Sequence, residues 1–147
     1  MSRTPPGRRA DYRYFSAVTT RWRDNDMYGH MNNAVYFSFF DTAVSHFEVE
    51  RNMIDYTNGD VIGVAAETTC RYFSELGFPD RVLVGLRVGH LGRSSVRYEM
   101  AMFRNDDDIA AAEGHFVNVF VDRATMRPVP IPDAMRAILQ TIAVSES

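Results

Sequence analysis

The chain has 147 residues, 46% of them apolar, with 16 basic residues against 19 acidic ones for a formal net charge of −3. Every basic residue is arginine, which excludes chemistries that need a lysine amine: Schiff bases, an internal aldimine with pyridoxal phosphate, a phosphate-loop lysine and a Ser-Lys dyad. The single cysteine, Cys70, can build neither an internal disulfide nor a multi-thiolate metal site, and slight acidity disfavours a surface made to neutralise nucleic acid.

The length suits one domain, with a flexible arm over residues 1–11 and a folded unit over 12–147. The arm, MSRTPPGRRAD, has almost nothing to bury. No run approaches the ~20 apolar residues of a membrane span, and the arm lacks the apolar core of a signal peptide. The expectation is a cytoplasmic protein whose partner is a small molecule, with no nucleic acid and no membrane.

Tyr12 to Arg23 is rich in aromatic and β-branched residues and reads as a first strand. After a polar segment, Tyr36, Phe40, Ala43 and Phe47 recur at helical spacing, with Val35, Phe39 and Val44 widening the stripe. The helix should run from Ala34 to Arg51, about 27 Å at 1.5 Å per residue, and be apolar around most of its girth. Beyond Asn58-Gly59-Asp60 the period changes to two: Val82, Val84, Leu86 and Val88 alternate, as do Val96, Tyr98, Met100 and Met102, and Val117, Val119 and Val121 continue a strand begun near Ile109. Turns are expected at Gly77–Asp80, Gly89–Ser94 and Asn105–Asp108, and such short links join antiparallel strands. Asp133 should cap a last helix that places Ala134, Ile138 and Ile142 on one face. The fold class is therefore α+β: a curved antiparallel sheet wrapped around a long central helix, with a short C-terminal helix. Apolar surface left over on the long helix calls for a second copy, so a homodimer, or a tetramer formed as a dimer of dimers, is expected.

The segment Asp24-Asn25-Asp26-Met27-Tyr28-Gly29-His30-Met31-Asn32-Asn33 gathers two carboxylates, an imidazole and two carboxamides just before the helix start. Unpaired N–H groups and the positive end of the helix dipole favour a negatively polarised oxygen there, and a nearby carboxylate is a candidate base or nucleophile. An EF-hand calcium loop fails because Tyr28 and Val35 occupy positions that need oxygen ligands. No metal is expected; Asp24, Asp26 and His30 are the one set that offers ligands. Cys70 reads as a small buried hydrophobe.

The run RWRDNDMYGHMNNAVYFSFFDTA resembles the D-x-D-x-x-G-H-x-N-N-x-x-Y motif of hotdog-fold thioesterases of the 4-hydroxybenzoyl-CoA thioesterase type. CRYFSELGFPDRVLVGLRVGHLGRSSVRYEMAMF and RPVPIPDAM are similar to that family's middle strands and pre-helix segment, so the likeness covers about Tyr14 to Ile142. The resemblance implies the hotdog fold and hydrolysis of an acyl-CoA thioester to the free acid and CoA. Coenzyme A then enters as part of the substrate and no further cofactor is needed. Asp26 matches the catalytic carboxylate that attacks the thioester or activates water, Asn33 the helix-start N–H that polarises the carbonyl, and His30 an assisting histidine. Tyr28 stands where plant acyl-carrier-protein thioesterases have an asparagine, which departs from their mechanism. Gly29 lets the loop approach the substrate closely, and Asn32 and Tyr36, a motif aromatic, join it as expected substrate-binding residues. Arg93, Ser94 and Ser95 resemble a loop that runs along pantetheine and phosphates, with Arg71 a weaker candidate. Glu67, on a strand after the helix, is a candidate to reach the cleft from the partner subunit. Two alternatives stay open: a non-catalytic acyl-CoA or acyl-ligand binding protein on the same fold, and a thioesterase acting on acyl-carrier-protein thioesters.

Overall fold

Period-two alternation fixes which face of each strand is buried, and the computed structural model, which describes residues 4–144, lays those faces on one helix. In chain order the elements are β1 (Tyr14–Thr19), α1 (Asn33–Glu50), β2 (Val61–Tyr72), β3 (Arg81–Leu91), β4 (Ser95–Arg104), β5 (Ala112–Asp122) and α2 (Asp133–Gln140). The strands form one five-stranded sheet in the order β1-β3-β4-β5-β2, with every neighbouring pair antiparallel. The hotdog architecture implied by the resemblance is the one the chain adopts.

The inner face carries Val82, Val84, Leu86, Val88, Val96, Tyr98, Met100 and Met102, and α1 answers with Phe39, Phe40, Ala43, Val44 and Phe47, all buried. Phe40 meets Phe116 edge-on at 6.2 Å between ring centres, and Tyr14 meets Phe47 in the same way at 5.2 Å. Gly114 lets the helix come this close: a Cβ there would stand 2.9 Å from the Phe40 ring and 2.2 Å from the Thr69 carbonyl oxygen.

Several details differ from the sequence-based expectation. The first strand stops at Thr19, because Asp24 captures the Arg21 N–H and folds Trp22–Asp24 into a 3-10 turn. Strand β3 runs through Gly89 to Leu91 instead of turning there, since a bulge between Val88 and His90 absorbs the glycine and the Glu99 carboxylate occupies the space a side chain would need. The stretch from Gly7 to Asp11 is not a loose arm. The Gly7 N–H donates to Glu113, its carbonyl accepts from Ala110, Arg8 pairs with Asp108, and Arg9 donates to the Asn105 and Asp107 carbonyls. Polar contacts hold a segment that has little apolar surface to bury; residues 1–3 lie outside the described range.

The central helix differs too. Its far side presents Ser38, Asp41, Thr42 and His46 to solvent, so its apolar stripe is covered within one protomer. Of the two strands that end the sheet, six-residue β1 and twelve-residue β2, the longer unpartnered edge is that of β2, along which Gly63 and Ala65 to Thr68 are exposed.

One charged group lies inside. Glu48 is 5% exposed on α1 and accepts hydrogen bonds from Tyr56 Oη at 2.9 Å and Tyr98 Oη at 3.2 Å. Burial pushes its carboxyl up to about 7 despite the two hydroxyls. Between the ordinary carboxylate range and that value the folded chain holds a proton that the unfolded chain has released, so stability falls as pH rises through this window and levels off above it. Thermal melts at pH 5 and pH 8 should show a fall in wild type that is smaller in Glu48→Gln, by on the order of 2 kcal/mol.

Candidate active site

The loop between β1 and α1 is built on Asp24. Its side chain is almost wholly buried and accepts from the Arg21 backbone N–H at 2.8 Å and the Arg21 guanidinium at 2.8 Å. Burial opposes its ionisation, but the Arg21 hydrogen bonds outweigh that and hold the carboxyl below its usual range. The Asp24 carbonyl accepts from the Asn32 N–H at 2.8 Å, so one residue ties both ends of the loop. Further along, the Met31 N–H donates to the Leu76 carbonyl at 2.7 Å and Asn25 Oδ1 accepts from the Phe78 N–H, which fastens the loop to the segment between β2 and β3.

Within this frame Asp26 heads a tight turn: its N–H donates to the His30 carbonyl, its carbonyl accepts from Gly29, and its Oδ1 accepts from the Tyr28 N–H at 2.9 Å. Among the described residues, Oδ2 has no partner. Gly29 sits at φ +81°, in the left-handed region that favours glycine, with nothing within 4 Å of where a Cβ would stand. Asn32 caps α1, its Oδ1 accepting from the Ala34 N–H, while the Val35 N–H is bonded to the Asn32 carbonyl. The N–H of Asn33, the first helical residue, has no partner within the helix by construction.

Asp26, His30, Asn33 and Tyr36 line one cavity of about 520 Å³, together with Tyr28, Met31, Tyr72 and Glu75. Tyr36 and Tyr72 form its aromatic wall, edge to face at 4.8 Å. Burial pushes both hydroxyls up to about 12, so the wall stays neutral. His30 Nε2 lies 2.9 Å from Glu75 Oε2, pairing the loop histidine with an acid from the far segment. Glu75 and Tyr72 escaped the sequence reading, because they follow Asp26 by more than forty residues and only the fold brings them near. The cavity is thus lined by an aspartate, the first residue of the helix and a histidine–glutamate pair beside an aromatic wall.

Other candidates lie elsewhere in the protomer. Glu67 lies on the sheet face turned away from α1, where the His115 imidazole meets it at 2.6 Å. Arg71, on the same face, faces Glu113 and covers the Phe73 ring. Arg93, Ser94 and Ser95 sit at the opposite end of the sheet: Tyr72 pairs through Ala112 to Met102, seven residues along β4 from Ser95, or about 24 Å at 3.4 Å per residue. Asp24 points into its Arg21 pair and away from the cavity, and among the described residues no three His, Cys, Asp or Glu side chains come together to hold a metal. Burial pushes the Cys70 thiol up to about 11, which leaves it an inert thiol.

The family model of the thioesterase-like superfamily matches residues 20–139. Among solved structures, the PA5185 protein of Pseudomonas aeruginosa superposes with a TM-score of 0.93 at 45% identity, covering 97% of this chain and 100% of that one. A thioesterase from Thermus thermophilus, complexed with coenzyme A and zinc, superposes at 0.75 with 32% identity, over 89% of this chain and 95% of that one. The uncharacterized protein YsmA of Bacillus subtilis is 27% identical over 89 residues, so the match spans 60% of this chain and 59% of that protein.

The turn geometry makes a testable demand. Gly29→Ala must force a side chain into the left-handed region, at about 1 kcal/mol, whereas Gly29→Asn should cost less. A denaturant titration of the two variants should rank them in that order.

Proposed function

Because the chain belongs to the thioesterase-like superfamily, we propose that it hydrolyses acyl-CoA thioesters to the free acid and CoA at the cavity under the α1 N-terminus. The observation that carries this reading is one carboxylate oxygen of Asp26 without a partner among the described residues, on a residue that lines the same cavity as Asn33. In it, the thioester carbonyl oxygen takes the Asn33 N–H, and the helix dipole stabilises the negative charge that develops there. Asp26 supplies the attack on the carbonyl carbon, directly or by taking a proton from water. The carbon–sulfur bond breaks, CoA leaves as the thiol, and the water oxygen ends in the carboxylic acid. His30, held by Glu75, orients the loop and the leaving group. A binding protein without turnover needs no such open carboxylate, which favours the enzyme.

The same reading takes the working unit to be two copies joined along β2. A two-fold axis at that edge pairs the strands antiparallel, so the end of one sheet that carries Asp26 meets the end of the other that carries the Arg93–Ser95 hairpin. Arginine's planar fork suits the phosphates of coenzyme A at that rim. The likeness to a thioesterase complexed with coenzyme A supports CoA over an acyl-carrier protein as the thiol carrier.

Two experiments follow. Asp26→Asn should lower thiol release from a panel of short, long and aromatic acyl-CoA esters by about a thousandfold or more while the fold persists; turnover at the wild-type rate would remove Asp26 from the chemistry. Ala66 lies at the bulge in β2, where the register against β5 shifts, so Ala66→Pro disturbs the outer edge at the point where the internal ladder is already irregular. Sedimentation should find wild type as a dimer or larger, and the variant shifted toward monomer with reduced turnover.

A further inference from the structure

The outward face of the sheet carries a second cluster of reactive groups, and the bulge in β2 puts them there. Before the bulge Gly63 and Ala65 face α1, opposite Phe120 and Asn118. After it Glu67, Thr69 and Arg71 pair with Val117, His115 and Glu113, so the odd-numbered residues of β2 turn outward. Thr69 and His115 become direct cross-strand partners, with Glu67 two residues away on the same face. Thr69 Oγ1 stands 2.9 Å from His115 Nδ1, and Glu67 Oε2 stands 2.6 Å from His115 Nε2.

The roles of these three groups follow from hydrogen-bond chemistry. A carboxylate only accepts, so Nε2 is the ring nitrogen that donates, to Glu67. In the neutral ring Nδ1 then carries a lone pair, and the Thr69 hydroxyl donates to it. Hydroxyl, imidazole and orienting carboxylate in that order are the arrangement that activates an alcohol as a nucleophile, and it is recognised by geometry and not by chain position. Thr69 and His115 line a cavity of about 390 Å³, while Glu67 stands behind the ring and outside the lining.

Arg71, Arg87 and Arg97 line the same cavity. Glu99, across the sheet from His115, is held by the Nε of both Arg87 and Arg97, so it is already paired and does not compete for the ring. Arg71 stands a loose 3.6 Å from Glu113, and among the described residues the terminal nitrogens of Arg97 have no partner. Three arginines against Glu99 and Glu113 leave the lining with one positive charge over, which suits a ligand that carries one negative charge.

We propose that this outward cavity is a second acyl-transfer site, which cleaves carboxylic esters that bear one further anionic group. Thr69 Oγ1 attacks the ester carbonyl carbon while its proton passes to His115 Nδ1. The bond from that carbon to the alcohol oxygen breaks, His115 returns the proton to the departing alcohol, and the acyl group stays on Thr69 as an ester. Water, giving its proton to His115 in the same way, then cleaves the Thr69 ester, releases the acid and restores the hydroxyl. Arg71 and Arg97 meet the second anion and the charge that develops on the carbonyl oxygen. Glu67 is a positioning residue, which fixes the ring tautomer. The site lies on the opposite face of the sheet from the Asp26 cavity and does not depend on the thioesterase reading.

The test is made in the full-length Asp26→Asn protein, where any turnover at the first cavity is suppressed. Release of 4-nitrophenol is followed from the 4-nitrophenyl half-ester of adipic acid and from 4-nitrophenyl hexanoate, its neutral counterpart of equal chain length. The half-ester should be cleaved above the buffer rate, with kcat/KM roughly tenfold over the hexanoate, a preference that Arg71→Gln erases through KM. Thr69→Val should lower its turnover roughly a hundredfold, whereas Thr69→Ser retains it, and Glu67→Gln should lower kcat roughly tenfold at unchanged KM. Peptide mapping after an acid quench should find the adipoyl group on Thr69. Release at the buffer rate, equal kcat/KM for the two esters, no acylated Thr69, or turnover that a folded Thr69→Val protein retains overturns the proposal. Thr69→Ala takes the place of Thr69→Val if the latter does not fold. With Asp26 intact, Thr69→Val should release thiol from acyl-CoA esters at the wild-type rate, and a fall there would make the two sites one and overturn the proposal. If acyl-CoA esters release no thiol while the half-ester is cleaved, the second site stands and the thioesterase reading falls.

Discussion

Everything at the site depends on one buried carboxylate. Asp24, 1% exposed, would be costly to bury as an unpaired charge, and it is tolerated because Arg21 supplies both a backbone N–H and a guanidinium. The same residue accepts the Asn32 N–H at its carbonyl, so the pairing that satisfies a charge also closes the loop. The helix starts one residue later, at Asn33. Between these two fixed points Asp26 cannot drift far from the Asn33 amide, and the bond from Met31 to Leu76 sets the depth at which both sit against the segment that follows β2.

Two aspartates two residues apart thereby acquire opposite duties. Asp24 is enclosed and paired, held below its usual range, and its oxygens have no freedom to meet a ligand. Asp26 lines the cavity, gives one oxygen to the Tyr28 N–H, and has no partner for the other among the described residues. Environment divides the labour between them, as it does wherever neighbouring carboxyls serve different roles. Residue type alone does not separate them; the partner supplied by Arg21 does.

Much of this was legible in the sequence and part of it was not. The change of period from helical to alternating, and the turns between the alternating runs, specify a sheet around a helix, because periodicity records which faces are buried. The loop motif identifies Asp26, Asn33, His30 and Tyr36 as neighbours because they are local, within one loop and one helical turn. Glu75 and Tyr72 could not be found that way: they join the cavity through the bond between Met31 and Leu76 and the contact between Tyr36 and Tyr72, both long-range. The outward side of α1 was misjudged for a different reason. Val35, Phe39 and Val44 read as widening the stripe, and Phe39 and Val44 are buried in the fold, but Val35 only flanks it half-buried, while Ser38, Asp41 and Thr42 hold the solvent side. The Gly7–Asp11 segment looked idle because hydrogen bonds to distant carbonyls leave no trace in composition.

The absence of lysine takes on a structural meaning once the ion pairs are placed. Arg87 and Arg97 share Glu99, Arg104 meets Asp80, Arg71 faces Glu113 and Arg21 serves Asp24, so a set of arginines is committed to carboxylates on the sheet and loop. A fork of several donors can hold two acceptors at once, as Arg87 does with Glu99 and the Asp11 carbonyl, which a lysine ammonium does with less geometric control. Arg93 is different. Its backbone carbonyl accepts from Ile131 and Arg136, which fixes the hairpin, while among the described residues its guanidinium enters no ion pair. The hairpin is thus held by its backbone and leaves that side chain to the proposed contact with the phosphates of coenzyme A. It lies at the end of the sheet opposite the Asp26 cavity, the end that the proposed antiparallel pairing along β2 places against that cavity in a second copy.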